Sequence, residues 1–373
     1  MDKSHDVKLM LPTNWDPALV SRISPFAPEY IYGSLPAEAT LRPAFVLSEA
    51  SEDDIALHIA EAARHAIRFI YVMNATCLGN KEYSENGRGE LLQRLEWVAE
   101  VGAAGVVTAN PFLMELVRRH FPSLELHISV LASVDDPRKA TFFEDLGASV
   151  IHLDPQVNRD FRRLGAIRKS VKCRLSLVVN EGCLLSCPIR QYHSNMISHS
   201  GESIADRYYV DYCYYQCSLK KVGDAAEYLR SPWVRPEDLG VYEDLGIDLF
   251  KIAGREKMGE GPSSHTDWIV AAARAYRSRR GGDLARLLVG IQPPMSLMGD
   301  PPKTVQVRID SRKLDGFLRF FRDDRCSLDC ARCDYCGRWA RRAVSVRGRT
   351  EACVGELAAD LETIRVGSYR SGR

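Results

Sequence analysis

The chain is 373 residues long, enough to bury a large core, and its 45% hydrophobic and 27% charged residues are ordinary for a soluble globular protein. With 50 Lys and Arg against 49 Asp and Glu the formal net charge is +1, which removes any global electrostatic drive toward nucleic acid or a membrane surface. The opening MDKSHDVKLMLP lacks the apolar stretch of a signal peptide, and no apolar run approaches the ~20 residues of a membrane span, so a cytoplasmic protein with no membrane partner is expected.

Short apolar runs rich in strand-forming residues predict strands over 7–13, 29–34, 67–75, 105–110, 125–133, 149–155, 174–182 and 248–255. Amphipathic stretches lie between most of them; SEDDIALHIAEAARHA, with its serine and early acids, has the signature of a helix start. Strands that are apolar on both faces indicate a parallel sheet covered on each side. Eight of them alternating with helices predict an α/β fold, a (β/α)8 TIM-like barrel over residues 1–292. An open doubly wound sheet is the competing arrangement, and no glycine-rich dinucleotide loop after the first strand supports it.

Residues 183–247 break the rhythm as an insertion after strand seven, on the face where barrel active sites form. Four prolines within 291–303 predict a Pro-rich linker over 293–303. The remaining 304–373 form a small Cys-rich segment with 15 Lys and Arg against 10 Asp and Glu, a surplus of +5. Within it, GRWARRAVSVRGR reads either as a solvated helix face or as a contact for an anion or RNA.

Eight of the 11 cysteines fall into two groups. Cys183, Cys187, Cys213 and Cys217 form two C-x3-C pairs inside the insertion, and Cys326, Cys330, Cys333 and Cys336 form a dense C-x3-C-x2-C-x2-C run. In a reducing compartment such clusters are metal ligands or catalytic groups before they are disulfides. Four thiolates suit a 4Fe–4S cluster and also tetrahedral zinc; the place of the first group at the barrel's catalytic face favours a working cluster. The second group resembles ferredoxin-style ligation, which makes a second, auxiliary cluster the expectation there and zinc its alternative. Its first three cysteines imitate a radical-SAM spacing, but they lie near the C-terminus instead of after the first strand. Cys77, Cys173 and Cys353 read as isolated core or surface thiols.

Polar residues at predicted strand ends supply the other candidates: Asn74, Asn110, Ser133, Asp154, Asn180, Glu181, Lys251 and Arg255. Asn110 and Ser133 read best as barrel-rim hydrogen-bonders. Lys251 and Arg255, four apart on one predicted strand, face the same side and suit one shared anion. Arg190, Tyr192 and His193 follow the first cysteine pair; Arg190 joins Asn74 and Asp154 as a candidate substrate ligand, and His193, Tyr192 and Glu181 are candidates for moving protons. There is no G-x-S-x-G elbow, H-E-x-x-H or P-loop.

LEWVAEVGAAGVVTANPFLMELVRRHFPSLELHISVLASV, NEGCLLSCPIR and RPEDLGVYEDLGIDLFKIAGR resemble the collagenase-like peptidase family of unassigned mechanism, over roughly residues 30–290. Its members include subunits of oxygen-independent ubiquinone-biosynthesis hydroxylases and bacterial RNA-hydroxylation proteins. The resemblance implies a TIM-like barrel with a cysteine-ligated 4Fe–4S cluster and, in several members, oxygen-independent hydroxylation with prephenate as oxygen source. It carries Cys183 and Cys187 onto the family's first cysteine pair, and Cys213 or Cys217 onto a later ligand. Three departures stand out: VYEDLGIDLFKIAGR holds no cysteine, Ala253 replaces the familiar acid of the KIxGR segment, and the C-terminal cysteine run is not a general family feature.

Together these readings predict an iron–sulfur redox enzyme that hydroxylates, or similarly modifies, a small molecule, a carrier-bound intermediate or an RNA without oxygen. An anionic, prephenate-like co-substrate and an electron donor or partner subunit go with it. A peptidase and a zinc-stabilised RNA- or protein-binding module are the competing functions.

Overall fold

Eight parallel strands close into a barrel in chain order: β1 Lys8–Pro12, β2 Tyr30–Gly33, β3 Arg68–Met73, β4 Gly105–Thr108, β5 Glu125–Ile128, β6 Val150–His152, β7 Arg174–Val178 and β8 Leu249–Lys251. β8 pairs with both β7 and β1, which seals the sheet. This is the predicted (β/α)8 barrel, with every predicted strand present and each shortened at one end or both. The computed structural model describes residues 7–36, 38–40, 42, 46–200, 210–256, 262–294 and 305–367. Of the predicted linker 293–303, all but its first two residues lie outside that set.

Alternation along the strands separates two apolar layers. Outward side chains such as Leu9, Ile31, Phe69, Ile151, Leu177 and Phe250 pack under the helices, while Met10, Tyr30, Ile70, Val107, Val150 and Leu249 fill the barrel. At the N-terminal end of the barrel, Arg174 pairs with Glu29 (2.5 Å) and Asp248 (3.1 Å), and Arg68 with Glu29 and Glu125. Charge inside the barrel is paired at this end, in contrast to the other.

Helix starts follow from local capping. Ser51 and Asp54 form a capping box on the helix Glu52–Arg64. Asn110 caps Pro111–His120 by accepting from the backbone N–H of Phe112 and Leu113, and Ser133 ends a short 3-10 turn in the left-handed conformation. Both have the rim role expected of them.

The insertion between β7 and β8 contains the helices Arg190–Ser198, Tyr212–Gly223, Ala226–Arg230 and Leu239–Glu243. It is stitched to the end of β7: Asn158 donates to Val178 O (2.8 Å) and Pro232 O (2.7 Å), and the Val234 N–H donates to Val179 O (2.8 Å). The C-terminal segment adds a two-stranded antiparallel sheet, β9 Gln306–Ile309 with β10 Val344–Arg347, and an aromatic group of Phe317, Phe321, Tyr335 and Trp339 continuous with the barrel's outer core. Its last helix, Thr350–Arg365, packs Cys353, Leu357 and Leu361 against Tyr215 and Val222 of the insertion, which makes Cys353 a core thiol.

Asn180 holds the mouth together. Wholly buried, it donates to Ala253 O (2.8 Å) and Leu287 O (3.0 Å) and accepts from the Ala253 N–H (2.7 Å). It therefore ties the end of β7 to the chain after β8 instead of facing a ligand. Asn180→Ala strands three backbone groups, two of them on the partly buried Ala253, and is expected to lower unfolding free energy by about 2–4 kcal/mol in urea titration; a change below about 1 kcal/mol would show that these bonds do not hold the mouth.

Candidate functional site

β8 ends at Lys251, and Arg255 lies beyond it, so the two are not on one strand as the spacing suggests. The chain turns at Gly254, where φ is 130° and a Cβ would stand 2.4 Å from Cη2 of Trp268, so the turn that delivers Arg255 requires glycine. Lys251 and Arg255 nevertheless reach the same place, close enough for the Arg255 charge to act on Lys251. Burial first, and that repulsion second, bring the Lys251 amine down to about 7. Its Nζ sits 4.2 Å from the centroid of the Tyr32 ring, whose hydroxyl is tied to Ile252 O (2.8 Å). Burial lowers Arg255 to about 10; its guanidinium donates to two buried hydroxyls, Ser34 (2.8 Å) and Thr40 (3.2 Å). Among the described residues neither cation has a carboxylate partner, and the nearby Glu256 is taken by Arg42 (2.8 Å).

Below Lys251 the barrel holds His152 and His127, wholly buried, with ring centroids 5.4 Å apart. Burial, with the charges of Lys251 and His127 behind it, holds His152 well below the ordinary imidazole range. Both its ring nitrogens, and Oγ of its strand partner Ser176, have no hydrogen-bond partner among the described residues. His127 bonds to Glu125 (3.1 Å) through Nε2 only.

Of the predicted substrate ligands, Asp154 and Arg190 are brought together as a half-buried ion pair at 2.5 Å, each satisfying the other. Asn74 is buried and donates to Ser129 Oγ (3.3 Å). Glu181 stands between the two halves of the site: its charge acts on Tyr32 and Arg42 at the mouth and on Arg190 and Cys183 in the insertion. His193 pairs with Asp211 (3.0 Å), with no thiol or hydroxyl bonded to its ring among the described residues. Tyr192 is 59% exposed and stands apart.

The thiols of the first group converge. The charge of Cys217 acts on Cys183, those of Cys187 and Cys217 on Cys213, and that of Cys187 on Cys217. Burial, followed by the Glu181 charge, pushes the Cys183 thiol well up; burial raises Cys213 to about 12 and raises Cys217 too. Gly182 begins the loop against Val289 O, leaving no room for a side chain. Beside the thiols lies Lys221, 1% exposed, which donates only to Gly182 O (3.2 Å) and Gly290 O while its charge favours ionised Cys183 and Cys217. Sequence reasoning missed it, although Cys213, Cys217 and Lys221 recur every fourth residue along one helix face.

The second group has the same plan. The charges of Cys326 and Cys333 act on Cys330, and those of Cys330 and Cys326 on Cys336, which burial raises to about 11. Its cation is the half-buried Arg159, held by Leu229 O and Trp233 O, over the Trp233 ring at 4.5 Å, with no carboxylate partner among the described residues.

Among the described residues no three or more His, Cys, Asp or Glu side chains are placed to hold a single metal ion. A multi-iron cluster keeps its thiolates further apart than one tetrahedral ion does. A soft all-sulfur donor set within mutual charge range suits an iron–sulfur cluster or zinc, each of which is negatively charged on four thiolates. No helix among the described residues is long and apolar enough to cross a membrane.

The sequence profile of peptidase family U32 matches residues 43–285, and the chain belongs to this family. It is 31% identical over 298 residues to an uncharacterized protease of Methanocaldococcus jannaschii, covering 79% of this chain and 82% of that protein. The solved structure of the U32 peptidase Mk0906 superposes with a TM-score of 0.51 at 26% identity, over 70% of this chain and 97% of that one. Residues 305–367, with the second cysteine group, lie beyond the profile's match.

The folded pKa of Lys251, about 7, lies below its ordinary 10.5, so between those values the folded state binds fewer protons than the unfolded one and stability rises with pH. Urea titrations across that window are expected to show a rise that Lys251→Met flattens; equal slopes in the two proteins would contradict the buried, unpaired amine.

Proposed function

We propose that this U32-family chain is an enzyme that takes an anionic substrate at the barrel mouth and carries an iron–sulfur cluster on Cys183, Cys187, Cys213 and Cys217. One observation carries the reading: Lys251, Arg255 and Lys221 are buried basic groups, and none has a carboxylate partner among the described residues. Burying a charge unpaired costs several kcal/mol, so positive charge is kept in such places when a bound anion completes it. A substrate anion answers Lys251 and Arg255, and a thiolate-held group answers Lys221.

In this reading Arg255 orients the substrate's anionic group with its planar fork while Ser34 and Thr40 hold the fork still. Asp154 fixes Arg190 beside the thiol loop, and the His193–Asp211 pair is positioned to hold a proton at the edge of the cysteine group. A bound cluster supplies one-electron chemistry. The reaction class that goes with this assembly is oxygen-independent hydroxylation or a related modification.

A second reading, peptide-bond hydrolysis, is favoured by the names of the relatives, a protease and a U32 peptidase. It needs an activated nucleophile or a metal-bound water. Burial pushes up the thiols of Cys213 and Cys217, on the helix that follows Asp211, the reverse of what a cysteine nucleophile needs.

Anaerobic purification with iron, sulfide and zinc analysis separates the readings. About four irons per chain are expected from the first group, or about eight if the second is also loaded, with Cys183→Ala losing the first group's share. A colourless, iron-free protein that cleaves a peptide library would overturn the cluster reading in favour of the peptidase.

A further inference from the structure

Lys251 closes β8 inside the barrel; its amine lies over the Tyr32 ring and, among the described residues, makes no hydrogen bond or ion pair. It accordingly lacks the hydrogen-bonded partners that normally hold a buried ammonium in its charged form. Its surroundings suit a different use of nitrogen. Arg255, within charge range, offers a guanidinium free of any acid among the described residues, the usual fork for a carboxylate. His152, wholly buried and unpartnered at both ring nitrogens among the described residues, lies within charge range below the amine. The Tyr32 hydroxyl is fixed on Ile252 O, so the ring forms a rigid wall.

We propose that Lys251 is a nucleophilic amine that forms an imine with the carbonyl carbon of a 2-oxo carboxylate whose carboxylate is held by Arg255. The inference rests on the reading of the mouth as an anion site and names the class of anion. Neutral Nζ attacks the carbonyl carbon; the C–N bond forms as the C=O π bond breaks, and the oxygen takes a proton. Loss of that oxygen as water breaks the C–O bond and leaves the protonated imine. Nothing is oxidised or reduced and water is the one leaving group; of its two protons one comes from Nζ and one from solvent, so the protonated imine keeps one proton on nitrogen. Burial of the amine beside Arg255, which lowers its pKa to about 7, is consistent with a substantial neutral fraction at neutral pH.

The test treats the full-length protein with pyruvate and cyanoborohydride under anaerobic conditions, and locates adducts by peptide-mapping mass spectrometry. L-Lactate, which keeps the carboxylate but lacks the carbonyl, is the control ligand. The expected result is a reduced pyruvate adduct on Lys251 that saturates with pyruvate, is slowed by lactate, and forms roughly tenfold faster or more than on exposed lysines, whose amines are almost all protonated near pH 7. Lys251→Arg, checked for folding by its melting curve, is expected to keep the lactate-induced rise in Tm and lose the selective adduct; mapping of the unaltered protein stands whether or not that variant folds. No selective adduct on Lys251, while lactate still raises Tm and Arg255→Met abolishes that rise, would overturn the imine and leave the anion site standing. Neither adduct nor any effect of pyruvate or lactate on Tm would overturn both.

Discussion

Positive charge buried without an acid to meet it is the constraint around which the mouth of this barrel is organised. At the N-terminal end of the barrel, Arg68 and Arg174 share Glu29, Glu125 and Asp248, and the electrostatics close on themselves. At the opposite end, among the described residues, Lys251 has only an aromatic face, Arg255 only hydroxyls, and Lys221 only main-chain carbonyls. Such groups destabilise the empty fold, and the apolar packing on both faces of the strands has to offset them. The strained turn at Gly254 and the buried bonding of Asn180 serve the same end, since both fix the short chain from Lys251 to Arg255.

The family and the geometry speak to different levels. Membership in peptidase family U32 goes with the barrel, of which the match to residues 43–285 spans β3 to β8. The side chains at the mouth describe a site of partly buried thiols and buried basic groups, in which His193 finds Asp211 but, among the described residues, no nucleophile. Function is a property of the site. The C-terminal cysteine group, beyond the match to the family profile, repeats the thiol-and-cation plan with Arg159, a cation that faces thiols from the segment 326–336 while belonging to the barrel itself.

All eight strands were legible because a parallel strand covered on both faces must be a continuous apolar run, and both cysteine groups were legible from spacing alone. Strand ends were not: the run through Arg255 reads as one strand, yet hydrogen bonding to β7 and β1 stops at Lys251. The proximity of Lys251 and Arg255 was foreseen for the wrong reason, since a glycine turn brings them together instead of strand alternation. Asp154 and Arg190, 36 residues apart, gave no local sign that they would pair. His152 and His127 looked like ordinary members of apolar strands, because only the closed barrel shows which ring atoms are left without partners. Lys221 was readable from its four-residue spacing behind Cys217, a signal that carries meaning once the cysteines are taken as one face of a helix.

The most direct test of uncompensated charge at the mouth is anomalous diffraction from crystals soaked in bromide. The account predicts an ordered bromide within hydrogen-bond distance of Lys251 Nζ or the Arg255 guanidinium, inside the ring of strand ends. Bromide confined to the exposed surface, with a carboxylate of the chain itself lying against those two cations, would contradict it.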